Sequence, residues 1–163
     1  MQVSGTWSSF SIGANSTCAI KSSDSSLWCW GYNSSGQVGD GTTTTRTSPV
    51  QIGTSAWSSV HVGGAIACGI RTAGTAWCWG NNSSQQTGTN SVTSNRITSP
   101  TQLTTSTLLA GTAWVDIRPT AAGVSTCGLR NDATNGSLYC WASNSYGSVG
   151  DPNFGKYFTP VGG

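Results

Sequence analysis

The sequence predicts an all-β protein built from three four-stranded β-propeller blades. Three observations carry that expectation: one unit recurs three times in register, each copy reads as short strands broken by Gly, Asn, Ser and Asp, and six cysteines fall two to a copy at equivalent places. Three blades do not close a propeller. The expected fold is therefore an incomplete ring, completed by further copies of the chain or by repeats beyond it.

The first copy opens W7-SSFSIGANSTCAI and runs to SPVQIG; the second opens W57-SSVHVGGAIACGI and reaches TSPTQL; the third opens W114-VDIRPTAAGVSTCGL and ends FTPVGG. The expected repeats are 7–56, 57–113 and 114–163, within one partial propeller domain over 1–163. In the first copy Trp7, Phe10 and Ile12 lead into Cys18 and Ile20, then Leu27 and Cys29, with small or polar residues between. That spacing is a strand's, and no amphipathic helix of ten residues can be drawn. Four strands and their turns make one blade.

Composition narrows the function. Charged residues are 7% of the chain, against about 25% in a typical soluble domain, and Glu is absent. Eight Trp and regularly spaced Val, Ile and Leu supply the apolar surface of a folded protein. Two Lys and five Arg give a net charge of +2 without a basic run, which disfavours nucleic acid as a partner. No stretch is apolar for long enough to span a bilayer as a helix. MQVSGTW lacks the basic and apolar regions of a signal peptide, so an export signal would be one already removed.

Six cysteines allow fifteen pairings, and the repeat selects one. In the second copy Thr72, Ala73 and Gly74 form a three-residue hairpin loop, so Arg71 faces Thr75 and counting back sets Cys68 opposite Cys78. The first and third copies lengthen only the loop. The expected disulfides are Cys18 with Cys29, Cys68 with Cys78, and Cys127 with Cys140, which implies an oxidising, extracellular setting. Reduced thiols in a cytosolic core are the alternative. A metal site is disfavoured because the cysteines make no C-x-x-C pair and there is one His.

Catalytic chemistry finds little to work with, so no enzyme activity, catalytic residue or cofactor is expected. His61 is the only histidine, and it sits within the strand SSVHV. Asp24 and Asp132 fall in hairpin loops, Asp40 and Asp151 follow glycine turns, and Asp116 lies early in a strand. The loop DGTTTT lacks the alternating oxygen ligands of a Ca²⁺ loop.

Aromatic residues pose the functional question. Trp28 and Trp30, Trp77 and Trp79, and Tyr139 and Trp141 flank a cysteine in each copy, and period two places them on the face opposite it. Repetition in every copy favours packing between blades over sugar stacking. Trp7, Trp30, Trp57, Trp79, Trp114 and Trp141 are thus expected in the core.

The segments CAIKSSDSSLWCWGYNSSGQVGDG, CGIRTAGTAWCWGNNSSQQTG and CGLRNDATNGSLYCWASNSYGSVGD resemble the regulator of chromosome condensation repeat family. The third copy departs from the pattern, with Ala142 where Gly31 and Gly80 stand and Ser148 where Gln37 and Gln86 stand. The resemblance implies a propeller. The chromatin binding and nucleotide exchange of the protein that named the family are not expected here, since basic patches are missing. Secreted bacterial proteins with similar repeats, some of them β-lactamase inhibitors, imply a secreted or cell-surface binding scaffold with an unknown protein or glycan ligand.

The leading expectation is a non-catalytic extracellular scaffold that binds protein through its loops, residues 42–47 and 104–113 above all. A lectin-like module is the alternative, with Tyr32, Asn33, Asn144 and Tyr146 as contacts. A surface fibre of head-to-tail blades is a third. The segment from Gln2 to Trp7 resembles the continuation missing after TPVGG, so a dimer or trimer could close the ring.

Overall fold

Alternating side chains and tight glycine turns produce a protein of antiparallel strands throughout, with no helix among the described residues. The structure is a computed structural model and describes residues 2–89, 94–103, 114–131, 136–143, 147, 149 and 159–160. The first unit comprises β1 (Trp7–Ile12), β2 (Ser16–Lys21), β3 (Ser26–Gly31) and the opening part of β4 (Arg46–Val62). The second takes the rest of β4 with β5 (Ile66–Arg71), β6 (Ala76–Asn81) and β7 (Arg96–Gln102). The third holds β8 (Trp114–Pro119), β9 (Ser125–Arg130), β10 (Ser137–Ala142) and β11 (Thr159–Pro160).

β4 departs from the expectation of four short strands per copy. It runs for 17 residues and joins two units without a loop. Its first part pairs with β3 through Arg46, Val50 and Gln51, and its second with β5 from Trp57 to Val62. The sequence QIGTSAW contains no Pro or tight turn to interrupt it. A single extended segment thus serves as the outer strand of one unit and the inner strand of the next.

The central hairpin of each unit is pinned by a disulfide. Cys18 faces Cys29, Cys68 faces Cys78 and Cys127 faces Cys140, each pair bonded with Cα atoms 4.1 Å apart. In the second unit Gly74 takes φ 77°, and Arg71 and Thr75 close the loop by a 3.0 Å backbone bond. That is the left-handed position a three-residue hairpin loop assigns to glycine.

One polar contact ties the inner strands of units two and three. His61 Nε2 lies 3.1 Å from Asp116 Oδ1, while Asp116 Oδ2 accepts from Arg118 Nε at 2.6 Å. Burial lowers the pKa of His61 below its ordinary value, the charge of Asp116 opposes this, and Arg118 adds to it. The imidazole therefore stays neutral to a lower pH than a free one, with Nε2 facing the carboxylate.

Two predictions follow from these contacts. The double substitution Cys68→Ala, Cys78→Ala releases a short loop in the unfolded chain and should lower the unfolding free energy by about 3 kcal/mol in urea titration under oxidising conditions. Because the folded pKa of His61 lies below the unfolded one, the unfolded chain protonates first and stability falls as pH drops below about 6.5. The urea midpoint should decline between pH 7.5 and 5.5, and His61→Gln should flatten that decline.

Candidate functional site

Each unit has two unlike faces, because period two sends its tryptophans one way and its cysteines the other. Trp57, Val60, Ala67 and Trp79 of unit two pack on Cys18, Ile20, Leu27, Cys29 and Ile52 of unit one. Trp114, Ile117, Trp141 and Ala142 of unit three pack in the same way on Ile66, Cys68, Ile70, Ala76, Cys78 and Leu103 of unit two. The chain therefore makes one joint twice, tryptophan face onto cysteine face. The indoles meet edge to face inside it, with Trp57 and Trp79 at 5.7 Å and Trp114 and Trp141 at 6.3 Å.

A polar turn completes each joint. Trp79 Nε1–H donates to the Gln37 carbonyl at 2.9 Å, and Trp141 Nε1–H donates to the Gln86 carbonyl at 3.0 Å. Gln86 reaches further into unit three, where its Nε2 donates to the Gly123 carbonyl at 2.8 Å and its own carbonyl accepts from Thr126 Oγ1 at 2.8 Å. Gly39 permits the close approach: it holds φ 86°, and a Cβ there would lie 2.6 Å from Trp79 Nε1. The turn is an interface element of the next unit.

Asn33 builds that turn from within. It was expected as a ligand contact, yet it is fully buried and its amide is spent. Its Nδ2 donates to the Thr42 and Thr44 carbonyls and to Asp40 Oδ1, and its Oδ1 accepts from Val38 N at 2.9 Å. Asp40 in turn holds Thr42 and Arg46. Burial works to raise the Asp40 carboxyl, but hydrogen bonds from Thr42 and Arg46 outweigh it and keep the pKa below its ordinary value. Residues 42–47, expected as a variable binding loop, are thus anchored at several points. Tyr32 is half exposed beside this network; Asn144, Tyr146 and residues 104–113 lie outside the described residues.

Unit one presents its tryptophan face to no other unit among the described residues. Trp7 and Trp30 lie 6.3 Å apart, both only partly buried, whereas Trp57, Trp79, Trp114 and Trp141 are buried. Phe10 is 70% exposed and Ile12 66% exposed. Two open grooves, about 510 and 280 Å³, run along this face. The larger is bordered by Trp7, Trp28, Trp30 and Lys21, whose ammonium sits 4.1 Å from the Trp28 ring centre. An equivalent cation and ring stand together in unit two, where the Arg71 guanidinium carbon lies 3.5 Å from the Trp77 ring centre.

The opposite end of the molecule shows the complementary face. Leu129 and Leu138 of unit three are exposed, while their equivalents Ile20 and Leu27, and Ile70 and Ala76, are buried in the two joints. Among the described residues no group of three or more His, Cys, Asp or Glu side chains could hold a metal ion. No helix among them is long and apolar enough to cross a membrane.

This geometry defines an all-β chain of the propeller class, its units joined face to face. Residues 24–70 match the regulator of chromosome condensation (RCC1) repeat, and residues 7–37 match a second model of the same repeat, so the resemblance to the RCC1 repeat family is shown. Among solved structures, yeast RCC1 (Prp20) with Kap60 bound is similar over 96% of this chain and 37% of that one, at TM-score 0.79 and 17% identity. Human WBSCR16 is similar over 100% of this chain and 55% of its own, at 0.60 and 14%. The ectodomain of the Physcomitrella patens receptor kinase CR4 is similar over 83% and 30%, at 0.50 and 20%. These identities show the fold alone, and the chain spans less than two thirds of each relative's length. No curated protein sequence matches this chain.

The buried amide and the exposed phenol make opposite predictions. Asn33→Ala strands one N–H and two carbonyls and should cost about 1–3 kcal/mol in denaturant unfolding. Tyr32→Ala should stay within about 0.5 kcal/mol of wild type.

Proposed function

We propose that this chain is a non-catalytic extracellular scaffold that binds proteins, organised as one partial propeller domain over 1–163 with repeats 7–56, 57–113 and 114–163. The observation that carries the reading is the uncovered tryptophan face of unit one, where Phe10 and Ile12 are the most exposed large apolar side chains described. A contiguous apolar patch of this kind marks a protein-interaction surface. Three disulfides support an oxidising compartment. The RCC1-like fold supports protein binding, since yeast RCC1 (Prp20) is seen with Kap60 bound. A non-catalytic role is supported by the engagement of the only histidine, His61, with Asp116.

The partners of this scaffold include further copies of the chain, because the exposed Phe10 and Ile12 of unit one and Leu129 and Leu138 of unit three repeat the two halves of the joint that the chain makes within itself. The face supports this binding better than residues 42–47, where the Thr42 and Thr44 carbonyls and the Thr42 and Arg46 side chains are already bonded.

The test pits proteins against glycans. Purified chain applied to an array of extracellular proteins and to a glycan array should bind proteins, and Phe10→Asp with Ile12→Asp should weaken that binding at least about tenfold. Binding to a defined glycan class that survives the double substitution would establish the lectin-like reading instead.

A further inference from the structure

We propose that a second copy of this chain seats the cysteine face of its third unit on the tryptophan face of the first unit, making a third time the joint that the chain makes twice within itself. The inference rests on the reading of the open face as a protein-binding surface, and it adds the occupant and its register.

The positions that the joint buries can be followed from unit to unit. Phe10 is 70% exposed, while its equivalents Val60 and Ile117 are 4% and 0% exposed. Trp30 corresponds to Trp79 and Trp141. Both of those donate their indole N–H to a backbone carbonyl of the preceding unit's polar turn. The Trp30 N–H has no acceptor among the described residues. What unit one lacks is therefore specific: an aliphatic and disulfide surface with a turn carbonyl at its margin. A flat apolar ligand would supply the first and not the second.

The aliphatic and disulfide part of that surface stands at the other end of the same chain, while the turn equivalent to those of Gln37 and Gln86 falls at Ser148, outside the described residues. Leu129 and Leu138 flank the Cys127–Cys140 hairpin and are exposed, where unit one places buried Ile20 and Leu27 and unit two buried Ile70 and Ala76. Gln2 and Val3 read as Gln51 and Ile52 do; Val3 borders the groove of Trp7 and Trp30, as Ile52 packs in the cluster of Trp57. Such a contact is heterologous, head of one copy to tail of the next, and repeats until the ends meet or a filament grows.

Complementation tests it. Phe10→Asp spoils only the tryptophan face, and Leu138→Asp only the cysteine face; both sites are exposed, so circular dichroism and melting temperature should match wild type. At about 50 µM, above the micromolar to picomolar affinities of standard-size interfaces, the wild-type chain should sediment as a multimer. Each variant alone should sediment at the monomer mass of 16.7 kDa. An equimolar mixture should give a one-to-one pair, since each variant retains the face the other has lost. In that pair the Trp30 indole N–H of the Leu138→Asp copy should exchange with solvent at least about tenfold more slowly than in that copy alone.

A monomeric wild type overturns the proposal. So does a mixture that stays monomeric, and so does a Leu138→Asp variant that still multimerises while Phe10→Asp does not, which would mean tryptophan face on tryptophan face. A wild type that stays monomeric but binds another protein through Phe10 overturns this joint and leaves the scaffold reading standing. A multimer that binds no other protein does the reverse.

Discussion

The joint between a tryptophan face and a cysteine face governs how this molecule is built. An indole is the largest apolar group a side chain offers, and it needs a flat bed beneath it. Glycine supplies one side: a Cβ on Gly128 would lie 2.4 Å from Trp114 Cζ3, and one on Gly69 would lie 2.9 Å from Trp57. The neighbour's disulfide supplies the other. Cystine is compact and keeps two strands at a fixed spacing, so Cys18 and Cys29 form part of the surface that Trp57 and Trp79 meet. Stability thus comes from buried ring area and covalent cross-links. A chain in which 7% of residues are charged has few ion pairs to contribute.

The polar residues follow from the same constraint. Trp57 Nε1 is buried without a hydrogen-bond partner, but the Trp79 and Trp141 indole N–H groups, each of which would cost about 1–3 kcal/mol if left unpaired, meet a carbonyl at a fixed place. The turn that carries Gln37 or Gln86 provides it, and the turn must then be rigid. Asn33 and Asn82 do that from the interior, each joining several backbone groups, and Asn82 is further bonded to Thr87 Oγ1 at 2.6 Å. Asn33, Gln37, Asn82 and Gln86 are all buried. A sequence rich in Ser, Thr and Asn resembles surface loop, but here much of that polarity is interior structure with its hydrogen bonds satisfied.

That distinction explains what the sequence made legible. Period two and the hairpin loop fix which residues face each other, so the strands and the cysteine register could be counted from Thr72, Ala73 and Gly74. Recurrence of Trp beside each cysteine pointed to packing. The same logic applied to Asn33 and Asn82, which recur two residues after Gly31 and Gly80, would have placed them inside. The expectation of Asn33 as a ligand contact beside Tyr32 leaves its recurrence as Asn82 unused. β4 was illegible for another reason: QIGTSAW has a glycine, and Gly53 does take φ 62°, yet nothing lies near it and the strand continues past it. Breakers interrupt a strand only when the chain must turn, and here it passes from one sheet directly into the next.

Unit one is finished to the standard of a buried unit although nothing described covers it. A register shift falls between Trp7 and Ser9, as it does between Trp57 and Ser59 and between Trp114 and Asp116. Ser8 bridges the first shift by donating to the Ile20 carbonyl at 3.1 Å, and Ser58 bridges the second by donating to the Ile70 carbonyl at 3.0 Å. The bulge that aims the first Trp across the face is therefore set by the unit's own hydrogen bonds and needs no neighbour. Phe10 and Ile12 stand at the positions of Val60 and Val62, so this face keeps an interior's residues and an interior's geometry together. A surface already shaped in this way loses little conformational freedom when it is covered, and more of the burial energy is left to hold whatever covers it.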